Sequence, residues 1–158
     1  MSLGDHFPEA VRVEATVRHL APGAVLYLPF TFPGEPRSKE KYMVVVAAVS
    51  PKLILLTINT EVNAFIAARP ALNRCNVVIS QAEHAFLDYD SNLACHQVHT
   101  AGEEATAALL NAEPARYQGE ISWSIRSAIL GVMATQPTSI SKVMRDAIIA
   151  GLSPPSTE

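Results

Sequence analysis

Short apolar runs separated by turn residues fill the chain as far as Thr100 and predict a β-sheet. The turn dipeptide Pro22-Gly23 precedes an aliphatic and aromatic run, Ala24–Phe30, which predicts the first strand. Two longer apolar runs follow at residues 42–49 and 53–58, and the short link between them indicates a hairpin. Because these two runs are apolar at almost every position, we expect both strands to be buried on both faces.

Three segments lack this pattern. Residues 31–41 hold two prolines, a glycine and most of the nearby charge, so we expect a surface loop there. Residues 61–74, with Pro70 among them, predict a loop or a short helical turn. Residues 8–18 are compatible with a helix or with an edge strand, and their pattern does not decide between the two.

Further along the chain, residues 76–80 predict the fourth strand and residues 93–99 predict the last strand of the sheet. Residues 85–87 are a candidate for brief pairing before a turn at residues 88–92. Within this turn, Asp90-Ser91 is expected to bond its own backbone and so to fix the start of the last strand.

The C-terminal third of the chain has apolar residues at helical spacing. The first apolar face contains Ile121, Ile125, Ala128, Ile129 and Val132. The second contains Ile140, Val143, Met144, Ala147 and Ile148. Pro137 ends the first helix, Thr138 or Ser139 can cap the second, and Gly151 before Pro154-Pro155 ends it. Trp123 is expected to be a core or dimer contact.

Strands first and helices last predict an α+β, mainly β, arrangement. We expect one domain over residues 1–158, with a barrel at about 20–100 and C-terminal helices at about 103–152. The hydrophobic fraction of 49% and the charged fraction of 17% argue against disorder. A net charge of −3 argues against broad electrostatic coating of nucleic acid, although it leaves room for a local basic groove.

The chain has no apolar run of membrane-spanning length and no leader-like N-terminus, so we expect a cytoplasmic protein without a membrane partner. Its two cysteines, Cys75 and Cys95, are expected to be reduced and partly buried thiols. They have no zinc-like spacing with His84, His96 or His99, so we expect neither a metal nor another cofactor.

The segment from Leu87 to Thr100 combines polar side chains with an apolar pattern. The pattern resembles the second half of the barrel in MazF/PemK toxins, which commonly has Ile, Leu, Asp-Ser and Gln-Ile-Arg-Thr at the same spacing. The matching residues here are Ile79, Leu87, Asp90-Ser91 and Gln97-Val98-His99-Thr100. The resemblance covers about residues 23–100. It implies a small, curved SH3-like β-barrel with C-terminal helices, a homodimer, and metal-independent cleavage of single-stranded RNA. It also implies a cognate antitoxin that occupies the RNA groove.

The resemblance implies particular site residues as well. The family's catalytic Arg-Pro pair matches Lys41-Tyr42, and its catalytic hydroxyl residue at the end of the third strand matches Asn59 or Thr60. His99 stands where the family often has arginine, and an imidazole is a reasonable acid or base near neutral pH. We therefore assign Lys41 as the cation, Thr60 as the hydroxyl donor and His99 as the acid or base. The expected RNA contacts are Arg37, Lys39, Asn59 and Gln97.

The departures at Lys41 and His99 favour a second hypothesis, in which the barrel has lost catalysis and serves as a protein- or nucleic-acid-binding module. On a regular strand, His99 would share a face with Cys95 and Gln97, whereas His96 would lie on the opposite face. The two histidines are therefore not expected to share a site.

Overall fold

Six antiparallel strands form one curled, half-barrel sheet in the computed structural model, which describes residues 19–32, 34–60 and 64–154. Their order across the sheet is β4-β5-β3-β2-β1-β6. The strands are β1 (Ala24–Phe30), β2 (Lys39–Val49), β3 (Lys52–Asn59), β4 (Asn76–Ile79), β5 (Ser91–Gly102) and β6 (Tyr117–Glu120). The fold is α+β, as predicted, while residues 8–18 lie outside the described part of the chain.

Short helices interrupt the sheet and longer ones follow it. The helices are α1 (Ala64–Ala67), α2 (Pro70–Asn73), α3 (Glu103–Ala112), α4 (Trp123–Ala134) and α5 (Lys142–Leu152). A 3₁₀ turn, Pro114–Arg116, separates α3 from β6. The prediction of short helical turns between β3 and β4 is confirmed by α1 and α2. Within the described residues, no helix has the length and apolar character that a membrane crossing requires.

The central strands carry apolar side chains on both faces, as predicted. Alternation along β2 sends Val44 and Val46 to one face, where they pack with α4 and α5 in a helix-side cluster. It sends Met43 and Val45 to the other face, where they join Leu110 of α3 in a second cluster. α4 and α5 therefore cover one face of the sheet, and α3 covers part of the other face.

The helix-side cluster depends on close approach between α5 and β2. A Cβ atom on Gly151 would lie 2.5 Å from the carbonyl oxygen of Val46, so only glycine allows the observed separation. The side chain of Ser141 caps α5 by accepting a hydrogen bond from the amide of Met144. The predicted caps, Thr138 and Ser139, are therefore wrong by two or three residues.

Several predicted boundaries are corrected by strand pairing. The loop after β1 is shorter than expected, because Lys39 and Lys41 already pair with β1. Residues 85–87 do not pair, and β5 continues as far as Gly102. The prediction that β5 is the last strand is wrong, since β6 follows α3 and pairs with β1 at the sheet edge.

Val143, expected on the second apolar face, and Trp123, expected as a core or dimer contact, both lie at the surface of the chain. Val143 is 77% exposed and Trp123 is 58% exposed. The guanidinium carbon of Arg126 lies 4.8 Å from the centroid of the Trp123 ring, so this indole contacts a cation rather than the core. Ile140 and Ile148 are buried as predicted. The second apolar face is therefore narrower than its sequence pattern indicated.

Side chains hold the turn before β5: Ser91 bonds the backbone of the turn, as predicted, whereas Asp90 bonds the distant Gln81 instead. The carboxylate of Asp90 accepts a hydrogen bond of 2.9 Å from the amide of Gln81, and the Ser91 hydroxyl donates to the carbonyl of Tyr89. Cys75 and Cys95 are both buried and neither forms a disulfide. Burial raises the pKa of Cys95 to about 12, so this thiol is unreactive near neutral pH.

Candidate functional site

A cleft of about 440 Å³ opens on the sheet face away from α4 and α5. β2 contributes Lys39 and Lys41 to its lining, and β3 contributes Thr57 and Asn59. Each pair of residues is two positions apart, so both members lie on the same face of their strand. The Lys41 Nζ atom donates a hydrogen bond of 3.2 Å to the side-chain carbonyl oxygen of Asn59 across the two strands.

An irregularity in β5 shapes the opposite side of this cleft. Ala94 pairs with Thr57, whereas His99 pairs with Leu55, so five steps along β5 correspond to two along β3. Cys95 and Val98 both pack in the helix-side cluster, although a regular strand would put them on opposite faces. The alternation therefore breaks between Cys95 and Val98.

This break corrects the expectation that the two histidines cannot share a site. His96, Gln97 and His99 all line the cleft. Cys95, which was expected to lie on the face of Gln97 and His99, is buried on the opposite side of the sheet. The periodicity that predicted this arrangement holds only for a strand without a bulge.

Aromatic rings form one wall of the cleft. The His99 ring centroid lies 5.2 Å from that of Phe30 and 5.2 Å from that of Phe32, both in edge-to-face geometry. Phe32 itself lines the opening. Beside it, the Glu35 carboxylate lies 3.8 Å from the Lys39 ammonium, and both groups are well exposed. The wall therefore offers an apolar surface next to a solvent-exposed ion pair.

The two imidazoles of the cleft favour their neutral form. Burial lowers the pKa of His96, and burial together with the neighbouring His96 lowers the pKa of His99. A neutral imidazole can accept a proton at physiological pH. The Nδ1 atom of His96 is buried and has no hydrogen-bond partner. The described residues contain no group of three or more His, Cys, Asp or Glu side chains arranged to hold a metal ion.

Most of the predicted site residues meet in this cleft. Lys39, Lys41, Asn59, Gln97 and His99 all line it. Two residues do not. Arg37 is exposed in the loop before β2, and Thr60 is exposed beyond the end of β3. The open choice between Asn59 and Thr60 is therefore resolved in favour of Asn59 as the residue that lines the cleft.

Sequence reasoning missed two polar residues on the strands that line the cleft. The hydroxyl residue at the cleft is Thr57 rather than Thr60, and a two-residue step back from Asn59 along β3 would have found it. The second missed residue is His96, for which no signal was present, because nothing in the residue pattern marks the bulge in β5.

Comparison with known proteins leaves the family open. No protein-family model matches the chain. No curated protein matches it significantly either. The likeness to MazF/PemK toxins therefore rests on the residues quoted above, and the candidate function rests on the chemistry of the cleft.

Proposed function

We propose that this protein is a MazF/PemK-like endoribonuclease that cleaves single-stranded RNA without a metal ion. The observation that supports the proposal is the convergence of Lys41, Asn59 and His99 in one cleft. These residues come from three different strands, and each occupies a position to which the resemblance assigns a role. That the fold is the SH3-like barrel of this family is also part of the proposal, and the curled sheet with C-terminal helices is consistent with it.

The proposed reaction is attack of a ribose 2′-hydroxyl on the adjacent phosphate. A neutral imidazole at His99 accepts the hydroxyl proton, and its lowered pKa keeps it free to do so at neutral pH. The Lys41 ammonium stabilises the charge that develops on the phosphate oxygens. Asn59 and Thr57 donate hydrogen bonds to the same oxygens. A general acid is also required, because the departing 5′-oxygen must gain a proton.

The walls of the cleft fit single-stranded rather than double-stranded RNA. Phe32 offers a ring on which an unpaired base can stack, and Gln97 offers an amide that can hydrogen-bond to a base edge. Lys39 is placed to contact a flanking phosphate, and the exposed Arg37 can contact RNA outside the cleft. Under this proposal a cognate antitoxin covers the same residues and the protein acts as a homodimer, as the resemblance implies.

Two observations favour the alternative of an inactive binding module. Lys41 already donates to Asn59, which gives its ammonium a structural partner without RNA. The net charge of −3 also limits electrostatic attraction to a local patch. In this alternative the cleft would bind a nucleic acid or a protein segment and break no bond.

Cleavage of a long, end-labelled single-stranded RNA in EDTA tests the proposal. We expect discrete fragments that end in 2′,3′-cyclic phosphate. Lys41→Ala should lower the rate by about 10²–10³-fold, because it removes one stabilising group from the transition state. Lys142→Ala is the matched control, since it removes the same charge from an exposed position on α5, where the Lys142 ammonium donates to the Asp146 carboxylate.

The possible outcomes separate the two functions. Equal rates for Lys41→Ala and the wild type would contradict the proposed site, and the same fragments from both would indicate a contaminating nuclease. If the wild type cleaves nothing but shifts the fluorescence anisotropy of labelled RNA, the binding-module alternative replaces the ribonuclease.

A further inference from the structure

The bulge in β5 places a second imidazole in the cleft. His96 stands where the alternation of β5 breaks, and it lines the cleft together with His99. The proposed cleavage needs two proton-transfer groups, a base for the 2′-hydroxyl and an acid for the 5′-oxygen. Among the lining residues, only these two side chains are imidazoles.

We propose that His96 is the general acid of the cleft and that His99 is its general base. This inference rests on the proposed ribonuclease activity and adds a catalytic residue to it. The imidazolium of His96 donates its proton to the departing 5′-oxygen, and the imidazole of His99 takes the proton of the attacking 2′-hydroxyl. The 2′-O–P bond forms as the P–O5′ bond breaks. The products are a 2′,3′-cyclic phosphate and a 5′-hydroxyl, and one proton has passed from His96 to the RNA and one from the RNA to His99.

The surroundings of His96 indicate a role other than stabilising the fold. Its Nδ1 atom is the one buried side-chain nitrogen or oxygen without a hydrogen-bond partner in the part of the chain that the structure describes. An unpartnered buried polar atom costs stability, so such an atom in a native protein calls for an explanation. A functional imidazole beside a cleft supplies one, because catalytic sites retain groups that the fold alone would not favour.

The assignment of acid and base follows from the electrostatic relation between the two rings. Burial lowers the pKa of both rings, and a proton on His96 lowers that of His99 further, so when the pair carries one proton the charge on His96 keeps His99 neutral and able to act as the base. The other charged groups of the cleft are Lys39 and Lys41 on β2 and Glu35 on the preceding loop. The Glu35 carboxylate is paired with Lys39. The facing residues of β3, Thr57 and Asn59, carry no charge.

The deciding experiment uses two RNA oligonucleotides that differ at one atom. One has the normal 5′-oxygen at the bond that the wild type cleaves, and the other has sulfur in its place, which leaves without needing a proton. His96→Leu should cleave the normal RNA about 10²–10⁴-fold more slowly than the wild type and cleave the sulfur-containing RNA at nearly the wild-type rate. His99→Leu should be slow on both substrates. Thermal unfolding of His96→Leu should show no loss of stability, since the variant removes the unpartnered nitrogen.

The outcomes distinguish this inference from the proposed function. If the wild type cleaves RNA and His96→Leu is equally fast, or is slowed equally on both substrates, His96 is not the general acid. If the wild type does not cleave at all, the proposed function and this role fail together. The electrostatic coupling between His96 and His99 is measured independently by NMR titration of His99. His96→Gln should raise the pKa of His99, and an unchanged titration would contradict the coupling.

Discussion

At the scale of single residues, His84 shows an imidazole whose task is structural. Its side chain is buried, its Nδ1–H donates to the carbonyl of Ser80 at 2.9 Å, and its Nε2 accepts from the amide of Ser122 at 3.1 Å. Ser122 is the N-cap of α4. One ring therefore ties the end of β4 to the start of a helix that is distant in sequence.

Replacing this ring should destabilise the protein. His84→Ala leaves the partly buried carbonyl of Ser80 and amide of Ser122 without this partner, so we expect the free energy of unfolding to fall by about 1–3 kcal/mol. Thermal and urea unfolding measure the change. Glu83→Ala is the neighbouring control and should change stability by no more than about 0.5 kcal/mol, because Glu83 is exposed. Indistinguishable midpoints for the two variants would show that the two His84 hydrogen bonds contribute little.

The residue pattern identified some residues of the cleft and misplaced others. Lys41 and His99 could be singled out from the sequence because each occupies a matched position in the toxin-like pattern, and both line the cleft. Thr60 could not be placed correctly, because one step along a strand reverses the face of every side chain. Arg37 lies in a loop, and no periodicity fixes the direction of a loop side chain.

At the scale of elements, two glycines in helices should respond oppositely to the same substitution. Gly151→Ala should lower the free energy of unfolding by about 1–3 kcal/mol, because the new methyl group would collide with the carbonyl of Val46 and push α5 away from β2. Gly131→Ala in α4 should raise it by about 0.5–1 kcal/mol, because no atom lies within 4 Å of the new methyl group and alanine favours a helix.

Both variants can be compared by thermal unfolding under the same conditions. Equal stabilisation by both would mean that α5 can shift without cost, and it would contradict the close packing of α5 on β2. Equal destabilisation would mean instead that both helices depend on the backbone freedom of glycine.

Elements with strong local patterns were predicted well and those held by pairing alone were not. β1 begins and ends as predicted, and the hairpin of β2 and β3 is confirmed, because apolar runs and a turn define them. β6 has the sequence Tyr117-Gln118-Gly119-Glu120, which has no apolar alternation. It is a strand because β1 offers it an unpaired edge. Such a strand depends on its neighbour, and no window of its own sequence reveals it.

At the scale of the whole molecule, stability should depend on the protonation of the cleft. The pKa values of His96 and His99 lie below the ordinary value in the folded state, so the unfolded chain binds more protons as the solution becomes acidic. Their contribution is fully present above about pH 6.5, the ordinary histidine value, and is lost as the pH falls below it. We therefore expect the melting temperature to fall between pH 7 and pH 5.

The double variant His96→Gln/His99→Gln should show a weaker dependence over this range, measured as melting temperature against pH. Parallel curves for the variant and the wild type would contradict the burial of the two rings.

A separate ion pair, between Glu40 and Arg116, affects stability at lower pH. The hydrogen bond from Arg116 lowers the pKa of Glu40 in the folded state. The stability gained from this pair is therefore present above the ordinary glutamate pKa and is lost as the pH falls from that value to the lower pKa of the folded protein.

The alternation of β5 has a consequence for what deletion of His96 would do. Without His96, the residues from Leu93 to His99 would alternate between the two sheet faces without a break, since Cys95 and Val98 lie on one face and Gln97 and His99 line the other. We therefore expect that losing this one codon would leave every other side chain of the segment on its present face. The shortened β5 would still have two more residues than β3 in this stretch, so the bulge would remain while the second imidazole of the cleft would be lost.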